Sequence, residues 1–419
     1  MNRLVLCVLA IFTHQIPAAD GAPRSWTWQS ALVPDVGFDL DAAEVVHVTN
    51  LDADGEGSLR DALWKKGPRL IVFDVGGVID LQMKELNISA PQVYVAGQTA
   101  PPPGITLIRG GISVSADQTV IQHIAIRPGD AGQAKGSGWA PDGISTSGGP
   151  HDVWIDHCSC TWSVDENLSA STYKPPTGIP AGRIFFRDCI VAEALNDSSH
   201  EKGPHSKGTL VYGGTQEVAI VGCLYSSNYE RNPLFQPGTS GVIVNNLMAN
   251  PGQRAMHGGI PGPGNGDSGA LAKIAIVGNT VWMGKKTKRT GHAIFEGKAE
   301  AFFKDNEGRD WFGEPMELMR TPFEPLAAPP VWPAGLEALP NATAIHHISR
   351  FVGARPAQRD PIDQRIIAQA LSGTASIINS QDEVGGYPTY QPTEKAADVP
   401  DKDRLAWLES LARAVTFGD

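Results

Sequence analysis

The chain has 419 residues, of which 46 are Gly, 32 are Pro and only 19% are charged, a make-up that suits many short strands joined by turns and not a helical bundle. Its formal net charge of −11 excludes the dense basic surface that a nucleic-acid partner needs. The length does not force two domains, because β-rich repeat folds grow by adding units along one axis.

Residues 1–19 carry Arg3, a short apolar run from Leu4 to Phe12 and the small residues Ala18 and Ala19. That is the layout of a secretory signal peptide, and the run is too short to span a bilayer. The mature chain is therefore expected to be a soluble monomer without a membrane partner, secreted or periplasmic. Residues 20–66 read as a Pro- and Trp-rich linker and a cap. Within them VVHVTNLDADGEGSLRDALW gives a strand, a Gly-containing loop and a helix over Ser58–Trp64 with Ser58 as N-cap. Such a helix would cover the open end of a solenoid, whose first coil exposes unpaired strand edges. Residues 67–300 read as the repeat itself. From 301 to 419 the chain is dense in Pro, with helical patterns over Asp360–Leu371 and around Leu405, Trp407, Leu408 and Leu411. Too few apolar residues recur there for a separate core, so this extension is expected to pack on the repeat.

The repeat shows as six strands aligned on Ile121, Ile155, Phe186, Ile220, Val244 and Ile276, at spacings of 34, 31, 34, 24 and 32 residues. Three residues further on stand Ile124, Cys158, Cys189, Cys223, Leu247 and Asn279, all apolar in character but the last. Units of this length with β-runs, turn residues and no intervening helix indicate an all-β parallel β-helix; propeller blades need about 40 to 50 residues. Equivalent positions in successive coils lie about 4.8 Å apart. Cys158, Cys189 and Cys223 then form an internal column of free thiols, since parallel side chains on neighbouring strands are poorly set for a disulfide.

The same register brings charged residues to matching loops. Asp142 precedes Ile155 by thirteen residues, as Lys207 precedes Ile220; Glu166 follows Ile155 by eleven, as Arg231 follows Ile220. Acids and bases thus recur two coils apart, about 10 Å. Asp142, Asp165 and Glu166 are the oxygen donors a hard cation such as Ca²⁺ takes, and no His/Cys spacing for zinc appears. Lys207 and Arg231 would face that cation and grip an anionic sugar. His200, Lys202 and His205 precede Lys207 and line the cleft, with Arg254 and His257 one coil further. His157 lies beside an inward Cys158 and reads as a scaffold residue.

The segments DGIS, VWIDHCS, SVDENLS, HSKGTLVYGG and ERNPLF resemble the corresponding motifs of the pectate lyases of polysaccharide lyase family 1. HVTNLDADGEGSLRDAL, VAGQTAPPPGITLIRG and DEVGGYPTY extend the likeness to an exported bacterial branch. The resemblance implies a right-handed parallel β-helix that cleaves pectate or a related polyuronate by calcium-assisted β-elimination. It implies Arg231 as the base that takes the C5 proton, Lys207 as the holder of the substrate carboxylate, and Asp142 and Asp165, with Glu166 beside them, as calcium ligands. Two places depart from the family pattern: Gln236 stands where a second substrate arginine is common, and Thr161 where a further carboxylate is. The alternatives are a lyase for another uronic-acid polymer, such as a glucuronan, and a non-catalytic polyuronate-binding β-helix. A hydrolase needs paired carboxylates flanking one bond. Asp165 and Glu166, adjacent on a strand, would point to opposite faces.

Overall fold

Runs such as Arg69–Phe73 and Val93–Ala96 alternate β-branched and aliphatic side chains and stop at turn residues, so each makes one short strand. In the computed structural model, which describes residues 32–34, 36–173, 178–262, 269–285, 287 and 292–418, these strands stack into three sheets. The first has ten strands, from Glu44–Val48 to Glu300–Lys304, and the third has nine, from Leu86–Ile88 to Glu317–Met319. The second also has ten, running from Val75–Asp80 to Glu307–Arg309, with Thr393–Glu394 added antiparallel at its edge. Every other pairing within the sheets is parallel, each coil giving one strand to each sheet in turn. Crossovers between parallel neighbours are right-handed, and the fold is the right-handed parallel β-helix expected. Its ladder takes in Glu44–Val48 and reaches Glu317–Met319, beyond the 67–300 read from the repeat. The expected signal peptide lies outside the described residues.

The register agrees with the sequence over four coils, Ile121, Ile155, Phe186 and Ile220 being direct partners. At the fifth it differs: Ile220 pairs with Ile243, not Val244. A slip of one residue turns a strand over, so Ile243 joins the interior while Val244 packs outside. The thiol column accordingly continues into Asn246 and not Leu247. Cys158, Cys189 and Cys223 are free and buried, and the Cys223 N–H donates to Asn246 Oδ1 at 2.8 Å. From there an amide ladder takes over. Asn246 donates to Asn279 Oδ1 through both its main-chain N–H and its Nδ2, and Asn279 does the same to Asn306. Asn279, the exception to the apolar pattern, is thus one rung of three. Stacked amides satisfy each other at every turn, which is how polar residues stand inside a core.

Helix α1, Leu59–Trp64, is capped by the Ser58 side chain, which accepts from the Asp61 N–H, and it closes the near end of the core with Leu59 and Leu63. The C-terminal part clothes two of the three sheets. Helices α2, Asn341–Phe351, and α3, Pro361–Ser372, lay Ile348, Ile366, Ile367 and Ala370 on the outer residues of the second sheet, Ile190, Leu224 and Leu247 among them. Helix α4, Arg404–Phe417, sets Leu408 and Ala412 on Leu70, Val72, Tyr94 and Trp154 of the first. Of these helices α2 was not expected. The third sheet's loops keep their access to solvent, and the charged residues gather there.

A buried ion pair anchors α3. Arg127 Nη2 donates to Asp360 Oδ2 and Asp363 Oδ1, both at 2.8 Å, with the arginine side chain fully enclosed. Removing one partner of such a group strands the other charges in a poor solvent. Arg127→Met is expected to cost about 3–5 kcal/mol in urea unfolding followed by circular dichroism; a loss below about 1 kcal/mol would show that the anchor contributes little.

Candidate active site

The site is built on the corner where the second sheet turns into the third. Asp142 stands two residues before Ile144 and Glu166 two before Leu168, and those two strand residues are partners. Glu166 in turn bridges Lys207, and Lys207 bridges Glu230. One rung position in four successive coils therefore carries acid, acid, lysine, acid. The two-coil separation of Asp142 from Lys207 holds, whereas the residue on Glu166's rung two coils on is Glu230, one place before the Arg231 that the spacing matched to it. Parallel stacking forces like charges to within about 4.8 Å, so the side chains resolve the conflict by pairing. Lys207 Nζ forms an ion pair with Glu230 Oε1, and Arg231 Nη1 reaches past Lys207 to Glu166 Oε1.

Arg231 adopts a left-handed backbone (φ 63°), a conformation that costs a side-chain-bearing residue energy and needs outside support. That support is His257, whose Nε2 accepts the Arg231 N–H at 3.2 Å. Burial drives His257 down to about 3, so the ring is neutral and carries its proton on Nδ1. Beneath the charges runs a buried amide rail. Asn167 Nδ2 donates to Asn228 Oδ1 and Asn228 Nδ2 to Asn232 Oδ1, each at 3.0 Å, and Asn232 Nδ2 holds the Arg254 carbonyl at 2.9 Å. Arg231 Nε is enclosed with no hydrogen-bond partner, a donor available to a ligand.

The three acids read as metal ligands do converge: Asp142, Asp165 and Glu166 each offer an oxygen, all within 4.8 Å of one another. Carboxylates so close repel one another. Asp142 is pushed up to about 8, by burial first and by Asp165 next. Asp165 is held below its usual value despite burial, by His205, His200 and Arg231 beside it. The Arg231 guanidinium is itself lowered by burial, with Asp165 and Asp142 opposing. Such a donor set suits a hard dication, which would replace the proton on Asp142.

His200 and His205 also join the cluster. Their rings stack 4.0 Å apart, and their Nε2 atoms lie 3.4 Å and 2.9 Å from the two oxygens of Asp165. Arg254 flanks it, with its guanidinium 3.6 Å from Glu230 and 3.7 Å from Glu296. Lys202 is exposed and gives its main-chain N–H to His200 Nδ1. Gln236 lies against Gly259 of the next coil, where a Cβ would fall 2.2 Å from Gln236 Oε1. Thr161 is fully buried, its hydroxyl without a hydrogen-bond partner. His157 sits on another corner, Nδ1 on Asp156 at 3.0 Å and 5.0 Å from the His123 ring, a scaffold position. Sequence reading missed Glu230 and the three asparagines. Glu230 adjoins the arginine that drew attention, and asparagines in loops read as turn formers.

No family model matches the chain. It is 32% identical over 378 residues to a probable pectate lyase C of Aspergillus terreus, covering 85% of this chain and 81% of that one. The chain belongs to the pectate lyase family. A second relative, a probable pectate lyase C of Neosartorya fischeri, is 30% identical over 417 residues, covering 95% of this chain and 89% of the other. These pectate lyase relatives are fungal, and the bacterial branch expected from the motifs finds no support in them. Among solved structures, a pectate lyase from Bacillus sp. N165 in complex with trigalacturonate aligns at a TM-score of 0.49 and 13% identity, covering 74% of this chain and 94% of that one. A pectate lyase from Paenibacillus sp. 0602 aligns at 0.46 and 11%, covering 77% and 93%. In this family member no described helix is long and apolar enough to cross a membrane.

The raised Asp142 has a consequence for stability. An unfolded aspartate ionises near 3.8, so between about 4 and about 8 the folded metal-free protein keeps a proton that the unfolded chain has lost. Stability therefore falls as pH rises through that window. Asp142→Asn is expected to raise the chelated protein's midpoint in thermal unfolding at pH 8 and to change it little at pH 4; an equal effect at both pH values would contradict a raised Asp142.

Proposed function

We propose that this chain is an exported polysaccharide lyase that cleaves polygalacturonate, or a closely related polyuronate, by calcium-assisted β-elimination and leaves a 4,5-unsaturated product. What carries the reading is the pairing across two coils: Arg231, enclosed and with its guanidinium lowered by burial, stands against Glu166 while Lys207 occupies the rung between them.

Asp142, Asp165 and Glu166 would hold the cation; bound there, Ca²⁺ supplies positive charge beside the substrate carboxylate and so makes the adjacent C5 proton more acidic. Lys207 Nζ holds that carboxylate, exchanging its contact with Glu230 for one with the substrate. Arg231 takes the proton from C5. The electron pair left behind forms the C4–C5 double bond, the C4–O glycosidic bond breaks, and the departing oxygen takes a proton from solvent. A guanidinium is ordinarily too basic for this work. Here burial favours its neutral form, and the acids that oppose burial are those the cation would neutralise. His257 keeps the Arg231 main chain in place, so the side chain does not have to be ordered when substrate arrives. Arg254 extends the positive edge one coil further, toward the next sugar carboxylate. A non-catalytic binding protein would use the acids and Lys207 but would have no need to enclose an arginine.

The test is Arg231→Ala, with turnover read as ultraviolet absorbance of the unsaturated product and binding read separately by Ca²⁺-dependent affinity electrophoresis in polygalacturonate. Turnover should fall by about 10²–10⁴-fold with binding retained. An Arg231→Ala variant that keeps wild-type turnover would remove Arg231 from the role of base.

A further inference from the structure

We propose that a cavity at the far end of the second sheet's outer face, away from the charged corner, is a second saccharide site and that it takes a short stretch of neutral glycan. The cavity measures about 680 Å³, within the range of small-molecule sites, and it lies where the helical covering stops.

Two outward rows of the second sheet lead to it. Leu224, Leu247, Thr280 and Glu307 are successive partners, as are Ser226, Ala249, Trp282 and Arg309. Leu224, Leu247 and Ala249 lie under α2 and α3. In the last two coils the rows turn aromatic and charged, and the sheet opens beside the start of α2 and the end of α3. A sheet face meant only to be covered would have stayed aliphatic to its last rung.

Trp282, Glu307, Arg309, Asp310 and Trp311 line the opening. Among the described residues the Arg309 guanidinium has no ion pair or hydrogen bond, and the Trp282 indole N–H has no partner. Asp310 is held in place through Oδ1, which accepts the Phe312 and Glu314 N–H groups at 2.8 Å and 2.9 Å. Aromatic rings beside a fork of donors and fixed carboxylates match a sugar, which offers an apolar C–H face and hydroxyls that both donate and accept. The charge decides which sugar. Glu307 and Asp310 set two carboxylates beside one guanidinium, and the last turn of α3 adds the negative end of its dipole. A uronate would bring a third anion, whereas a neutral sugar gives its hydroxyl protons to the acids and accepts from Arg309. The cavity and the charged corner lie on different faces, so both can be filled at once.

The experiment is calorimetric titration of the full chain, with a chelator present to silence cation-dependent binding at the corner. The probes are neutral hexasaccharides from galactan, xylan and cellulose, with trigalacturonate as the acidic probe. At least one neutral hexasaccharide should bind, and trigalacturonate should show no binding that depends on Arg309. Arg309→Ala should weaken the neutral sugar on the order of tenfold or more, and Trp282→Ala by about threefold or more. Arg309 is exposed, so its variant should keep the wild-type thermal midpoint and the wild-type turnover on polygalacturonate. Failure of all three neutral sugars to bind, neutral binding that persists in Arg309→Ala, or trigalacturonate binding that depends on Arg309 would overturn the proposal.

Discussion

In-register parallel stacking governs this molecule. Every rung repeats about 4.8 Å from the last, so a residue has the equivalent residue of the next coil as its neighbour whether or not the two are compatible. Apolar side chains meet that constraint easily, thiols pass it along, and asparagines meet it by bonding to one another from Asn246 to Asn306. Charged residues meet it only by pairing. At the corner between the second and third sheets the constraint sets Asp142, Glu166, Lys207 and Glu230 in line. The same force that builds the solenoid concentrates the charge that the proposed chemistry uses.

The rest of the architecture follows from what that corner requires. Outward faces of two sheets are apolar and lie under α2, α3 and α4, held by Arg127 with Asp360 and Asp363 and by Arg365 on Glu193. An extended polymer could not use those faces. The third sheet's loops are left clear, and beneath them the amides of Asn167, Asn228 and Asn232 give the charged layer a rigid, fully bonded floor. Preorganisation of this kind is what lets fixed charge act on a developing anion without first rearranging.

Much of this was legible in the sequence because a solenoid writes its register as spacing. Five of the six aligned strands fall where the repeat puts them, Val244 alone being displaced, and Asp142, Asp165, Glu166, Lys207 and Arg231 come together at one corner. The strand at Ile243 was misread by one residue because both Ile243 and Val244 are apolar and β-branched; in a wall buried on both faces, alternation no longer marks the inside. Asn279 looked like an exception for a related reason. A polar ladder becomes visible only when each rung is known to have a partner. Glu230 escaped notice because its role depends on Lys207, a coil away and 23 residues earlier, and α2 because its apolar face is narrow, Ala344 and Ile348 being its buried residues. Gln236 and Lys202 stand at the edge of the cluster rather than in it, since sequence proximity to a motif does not fix where a side chain turns.

The central claim is that the charged corner eliminates rather than hydrolyses or merely binds. Ultraviolet absorbance of the wild-type reaction, on polygalacturonate and on a glucuronan, with Ca²⁺ and with a chelator, tests it most directly. A cation-dependent rise in absorbance on a polyuronate is the result expected. New reducing ends without absorbance, or cleavage that survives the chelator unchanged, would contradict it.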